Sequence, residues 1–228
     1  MPFGRPFISH ISFCIDVKNI NKEIRLDNAA LTACDIWILL LKGNFGLTFD
    51  FILGKLPKHE EEWFVDASKI GFGGVCGYSF FKISYENFLE RLEPEMKPLF
   101  VDMFIAYREL LAVLLAFQVF AKIAPNRFIR INSDNTSVVT WLNKGRCSKK
   151  SGFLILSAIE TFKFNFGLKV KAFYIKSQHN NSADELSRNR TPPWLRLKGV
   201  EQKNDVTQIV QLINNPLPFW KPKSKTPF

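Results

Sequence analysis

Four carboxylates are set apart by where they fall in the chain. Asp66 follows the apolar triplet Trp63-Phe64-Val65, and Glu109 lies in a long apolar stretch with no further charge until Lys122. Asp134 closes the apolar run Phe128–Ser133, and Asp184 sits in the string NSADELSR. A carboxylate in an apolar stretch is costly unless it is paired or bound to a metal, so Asp66 and Glu109 require an explanation. Asp134 and Asp184 each have a simpler alternative, since acids at strand–helix junctions often serve as N-caps. If all four converge, they repel and raise one another's pKa unless cations neutralise them. Hard oxygen ligands of this kind suit Mg²⁺ or Mn²⁺. Two such ions about 4 Å apart form an arrangement suited to in-line hydrolysis of a phosphodiester.

The elements that must position these acids follow from local pattern. Trp63–Ser68 reads as a strand, and Gly71, Gly73, Gly74 and Gly77 punctuate a hairpin region through Phe81. A helix is expected over Val101–Ile123, closed by Pro125, and a strand over Phe128–Ser133. Helices follow at Asn135–Asn143 and Gly152–Phe166, then a strand at Lys169–Lys176 and a short helix at Asn181–Arg188. This order predicts an α/β fold with a mixed sheet flanked by helices. Ahead of it, residues 1–55 carry an apolar stretch and a helical pattern over Asp27–Lys42, with Asp27 as N-cap and Gly43 as stop. The polar segment Gly54–Glu62 reads as a connector. After residue 190 come six prolines, and one helix is expected near Asn204–Ile213, with the rest extended. The chain therefore divides into a small, mainly helical N-terminal segment (1–55), a central domain (56–190) and a basic, proline-punctuated tail (191–228).

Charge narrows the partners. Lys and Arg number 31 against 21 acids, a net +10, which favours polyanions. Residues 189–228 hold seven Lys and Arg against two acids, so half of the surplus lies there. The four cysteines are scattered without a C-x-x-C pair, which argues against a zinc site or disulfide framework and for a reducing compartment. The longest uncharged apolar run, Leu110–Ala121, is twelve residues, too short to span a bilayer. An intracellular protein, cytoplasmic or nuclear, is expected. The 23 phenylalanines, beside abundant Lys, Ile and Asn, read as the mark of an A+T-rich gene.

The strings FVDASKIGFGGV, YRELLAVLLA, INSDNTSVVTWLNKG and NNSADELSR, in this order, resemble the ribonuclease H domain of retroelement reverse transcriptases. They cover roughly residues 60–190. GRPF at Gly4–Phe7, with IRLDNAA and the helix around Trp37, is similar to the thumb or connection segment that precedes ribonuclease H in DIRS-like retrotransposons. No Y-x-D-D or other adjacent aspartate pair occurs, so no polymerase active site is expected in this chain.

The resemblance implies a ribonuclease H-like five-stranded mixed sheet, with Asp66, Glu109, Asp134 and Asp184 as catalytic ligands to two Mg²⁺ or Mn²⁺ ions. The implied reaction is endonucleolytic hydrolysis of the RNA strand in an RNA–DNA hybrid during reverse transcription, leaving 5′-phosphate and 3′-hydroxyl ends. RNA is told from DNA by its 2′-hydroxyls. The implied partners are the hybrid and a reverse transcriptase polymerase domain; no membrane is involved. Asn180, Asn135 and Ser68 are candidate nucleic-acid contacts, each with a turn or local hydrogen bond as its alternative. Lys144, Arg146, Lys149 and Lys150 form a compact basic cluster that either grips the hybrid or is a solvated loop. One departure concerns Tyr174, ten residues before Asp184, where related domains often have His. A phenol with pKa near 10 is a poor proton shuttle at neutral pH, and His179 lies elsewhere in the pattern. That departure, with the missing polymerase, supports the alternative of a catalytically inactive nucleic-acid-binding or scaffolding module. A transposase or integrase of the same general fold is disfavoured by the place of Glu109, on the helix that precedes the second aspartate strand.

Overall fold

The structure is a computed structural model that describes residues 60–202 apart from 93, 95, 96, 124, 126 and 148, together with 31, 34, 38, 209 and 211. Its centre is a six-stranded mixed sheet. Strands β1 (Glu60–Ala67), β2 (Gly71–Cys76) and β3 (Ser79–Ser84) form an antiparallel meander. Strands β4 (Phe128–Ser133), β5 (Lys169–Tyr174) and β6 (Val200–Glu201) complete the order β5-β4-β1-β2-β3-β6, with β4 parallel to both β1 and β5.

Period-two alternation assigns the two faces. Trp63 and Val65 of β1, Phe72 of β2 and Ile129 and Ile131 of β4 point into the main core. There they meet α3 (Ile105–Phe120), which follows the short helices α1 (Tyr85–Glu90) and α2 (Lys97–Val101). Every residue of α3 from Glu109 to Phe117 is buried, because the helix lies between β1 and β2 on one side and α5 (Lys150–Asn165) on the other. Trp63 is fixed edge-on against Phe117, with ring centroids 5.1 Å apart. A fourth helix, α4 (Thr136–Lys144), follows β4 directly and ends on Gly145 in the left-handed conformation.

The other face is covered by α6 (Asn181–Ser187) and α7 (Pro193–Lys198), where Leu186 and Leu195 pack with Val75, Phe80 and Phe64. The contact is close at Gly73. A Cβ there would stand 2.5 Å from the Leu186 Cβ and the Ser187 N and 2.7 Å from the Ala183 O. Gly73→Ala is thus expected to force α6 outward and to destabilise the domain by about 1–3 kcal/mol. Urea unfolding tests this, and an unchanged midpoint would contradict it.

Several sequence expectations need correction. The segment Gly54–Glu62 does not remain a connector to its end: Glu60–Phe64 pair with Phe128–Asn132, and Arg127 bridges to Glu61, so the strand starts at Glu60. The single helix expected over Val101–Ile123 is two, followed by a 3-10 turn at Ala121–Ile123. The break falls at Phe104, whose backbone is extended, and the Met103 carbonyl accepts from Arg108 Nε (3.1 Å). The sheet has six strands where five were expected, and the start of the tail is not extended. It forms α7 and β6, held by Leu195 in its apolar cluster and by Val200 N–H donating to the Tyr78 carbonyl (2.8 Å). Of the later helix expected near Asn204–Ile213, Ile209 and Gln211 are described and helical, and Ile209 is fully buried in the main core. The N-terminal segment lies outside the described residues except for Leu31, Cys34 and Ile38, which are helical, within the helix expected there.

Candidate metal centre

Three elements bring the acids together. Asp66 is the next-to-last residue of β1, Asp134 follows the last residue of β4, and Glu109 lies just over a turn into α3. Because β1 and β4 are parallel neighbours, Asp66 and Asp134 emerge at the same end of the sheet, and α3 crosses it there. One carboxylate oxygen from each of Asp66, Glu109 and Asp134 lies within 4.8 Å of the others. Asp66 and Glu109 are only 6% and 7% exposed; Asp134 is half-buried.

The neighbours of Glu109 hold it in place. Asn135 Nδ2 donates to Oε1 at 3.1 Å and Ser133 Oγ to Oε2 at 3.4 Å. The Asn135 Oδ1 accepts from the backbone N–H groups of Ser137 (2.9 Å) and Val138 (3.3 Å). Asn135 is therefore the N-cap of α4, which leaves the Asp134 carboxylate free of that role. Burial pushes Asp66 up to about 6, reinforced by the charges of Asp134 and Asp184 and opposed by a Ser187 hydrogen bond and by Arg188. Burial likewise pushes Glu109 up to about 7, with Asp66 and Asp134 adding to it and Asn135 and Ser133 opposing. Two buried, mutually repelling carboxylates beside a third are suited to a hard divalent cation, which removes both penalties together.

Asp184, the fourth expected ligand, stands apart from this trio. It lies in the first turn of α6, and its carboxylate is gripped by Arg188, whose Nε donates to Oδ1 (3.0 Å) and Oδ2 (3.1 Å) and whose Nη2 donates to Oδ1 (2.8 Å). Arg188 was not singled out by sequence reasoning, although its i,i+4 spacing from Asp184 in DELSR was a readable signal. Ser133 and Ser187, which touch the carboxylates, carried no such signal.

The remaining candidates fall into two groups. Asn180 is 2% exposed, and its Nδ2 donates to the Val65 carbonyl at 3.0 Å. It ties the start of α6 to β1 next to Asp66 and has no surface to offer a ligand. Ser68 Oγ donates to the Ser187 carbonyl (2.7 Å) and accepts from Ile70 N and Gly71 N, so it closes the β1–β2 turn and holds the end of α6. Lys144 and Arg146 are exposed, Lys149 lies over the Phe104 ring at 4.2 Å, and Lys150 opens α5. Tyr174 is exposed at the end of β5, opposite Ser133. His179 is exposed in a 3-10 turn, its Nε2 3.2 Å from the Gln178 Nε2. Neither belongs to the carboxylate group.

Comparison with known proteins leaves this chemistry to be argued from the chain itself: no family model, no curated protein and no solved structure matches the chain. What is established is an α/β domain with a six-stranded mixed sheet and a buried acidic cluster able to hold a metal ion. No helix among the described residues is long and apolar enough to cross a membrane.

Proposed function

We propose that the protein is a metal-dependent endonuclease of the ribonuclease H type, hydrolysing the RNA strand of RNA–DNA hybrids as part of retroelement reverse transcription. The observation that carries this reading is the meeting of Asp66, Glu109 and Asp134, from a central strand, a buried helix and the neighbouring parallel strand, within one ligand sphere. The sheet order, with an antiparallel meander followed by two parallel additions and the helices α1 to α3 between β3 and β4, is compatible with the ribonuclease H-like fold. The net charge of +10 supports a nucleic-acid substrate.

Asp66, Glu109 and Asp134 would hold the cation, and Asp184 would complete a second position. Bound Mg²⁺ or Mn²⁺ supplies positive charge and Lewis acidity to the phosphodiester undergoing hydrolysis. The chain's own residues prepare that state. Asn135 and Ser133 fix both oxygens of Glu109, so its carboxylate needs little reorganisation. Burial under α3 and α6 excludes water from Asp66 and strengthens each charge interaction there. The exposed Lys144, Arg146 and Lys149 offer phosphate contacts that add affinity without reading sequence.

A second reading, a catalytically inactive module that binds nucleic acid or scaffolds a polymerase, is favoured by Tyr174 in the place where ribonuclease H domains often have His. The deciding experiment incubates the full chain with a labelled RNA–DNA hybrid and either Mg²⁺ or Mn²⁺, beside duplex RNA and duplex DNA. Cutting confined to the RNA strand of the hybrid and dependent on the cation is the expected result. A folded protein that binds hybrid and cuts nothing would establish the inactive reading.

A further inference from the structure

We infer that Arg188 is a built-in substitute for the second cation: it holds the Asp184 carboxylate until a substrate phosphate draws the guanidinium away and frees that carboxylate for an ion. This rests on reading the carboxylates as a cation site.

The geometry separates what is fixed from what can move. Helix α6 is anchored along its length. Asn180 ties its start to Val65, Ser68 ties its end to the Ser187 carbonyl, and Ala183 and Leu186 pack against β2 at Gly73. The backbone of Asp184 therefore has no freedom to approach or leave the trio. Its side chain does, being 40% exposed, and all of its described side-chain hydrogen bonds come from Arg188.

Arg188 is also placed to leave. Its side chain is 50% exposed, and an exposed ion pair contributes about 0–1 kcal/mol, so a stronger ligand can break it. A phosphodiester is such a ligand, since it accepts the same forked pair of N–H bonds that a carboxylate accepts. Substrate binding then releases the fourth carboxylate at the moment that a second cation is required. Without substrate, the site would hold one tightly bound ion. Arg188 is in this sense a positioning residue, acting through Asp184.

The test reads cation binding directly. Mn²⁺ is titrated into the full chain by calorimetry and electron paramagnetic resonance, for wild type, Arg188→Ala, Arg188→Lys, Asp184→Asn and the Arg188→Ala/Asp184→Asn double variant. Wild type is expected to bind one ion tightly and a second weakly. Removing the competing guanidinium in Arg188→Ala should tighten the second ion by about fivefold, the upper range for an exposed pair. Arg188→Lys, unable to grip both oxygens, should fall between the two. Asp184→Asn and the double variant should behave alike, with the second site lost. Short duplex DNA, which presents phosphodiesters but is not cut, should tighten the second ion more for wild type than for Arg188→Ala. Equal second-ion affinity in wild type and Arg188→Ala, or weaker binding in the variant, would overturn the role of Arg188 while leaving the trio intact. Failure of either protein to bind any Mn²⁺ would remove the cation site itself and both readings with it.

Discussion

Asp134→Asn is expected to lower hybrid cleavage by at least about 10³-fold, the scale of several kcal/mol lost from charge stabilisation of the reacting phosphate. The fold should survive the change. Asp134 is half-buried and follows β4, and the cap of α4 is supplied by Asn135, so the start of α4 does not depend on the Asp134 carboxylate. The isosteric amide keeps the shape of the site but removes one anionic ligand and part of the field on its neighbours. Because Asp134 contributes to the raised pKa of both Asp66 and Glu109, its neutralisation should also let those two lose their protons at lower pH. Cleavage assays and NMR titration of the side-chain carboxyl carbons measure the two effects in one variant. Retention of cleavage within tenfold of wild type would show that the trio is not the reacting centre. Loss of cleavage with unchanged titration of Asp66 and Glu109 would contradict the electrostatic coupling.

The second large effect is a stability that depends on pH and cation together. Asp66 and Glu109 titrate near 4 in an unfolded chain and are pushed up to about 6 and about 7 in the folded one. Between those limits the folded state binds more protons than the unfolded state, so stability falls as pH rises. The contribution is fully present below about pH 4 and is lost as pH climbs through the two folded values. One carboxyl held about two pH units above its unfolded value contributes about 3 kcal/mol, and a coupled pair yields less than twice that. A loss of about 3–5 kcal/mol between pH 4.5 and 8 is a large share of a typical domain's stability. Mg²⁺ should oppose this loss, since cation binding requires the deprotonated forms and stabilises the folded state more as the cation concentration exceeds Kd. Urea unfolding at pH 5 and pH 8, each with and without Mg²⁺, is the measurement. Glu109→Gln should flatten the metal-free profile and raise stability at pH 8, while it abolishes the response to Mg²⁺. A metal-free profile that rises with pH in wild type would show that the two carboxylates are not held in the environment described.

Both predictions depend on a convergence that the sequence displayed only in part. Local signals were enough to find the elements. The apolar alternation from Trp63, the glycine punctuation after Gly71, the uncharged helix from Leu110 and the run Phe128–Ser133 all correspond to observed strands and helices. These depend on short-range periodicity, turn chemistry and the cost of a charge in an apolar stretch, which are properties of neighbouring residues. The same arguments marked Asp66 and Glu109 as needing partners. The tertiary structure decided which groups meet. Asp66 and Asp134 lie side by side because β1 and β4 pair in parallel, a relation between residues more than sixty positions apart that no local pattern carries. Asp184 is paired with Arg188 outside the trio, and Asn135, rather than Asp134, caps its helix, outcomes of side-chain geometry that no local pattern displays. Asn180 was readable as a turn residue but not as a buried tie to Val65. The sixth strand and α7 escaped notice because proline-punctuated, charged sequence looks extended by itself; only the apolar pocket of Val75, Phe80 and Leu186 gives Leu195 a reason to fold back. Composition and period specify what each segment becomes. Register and sheet order, set by burial summed over distant segments, specify what it does.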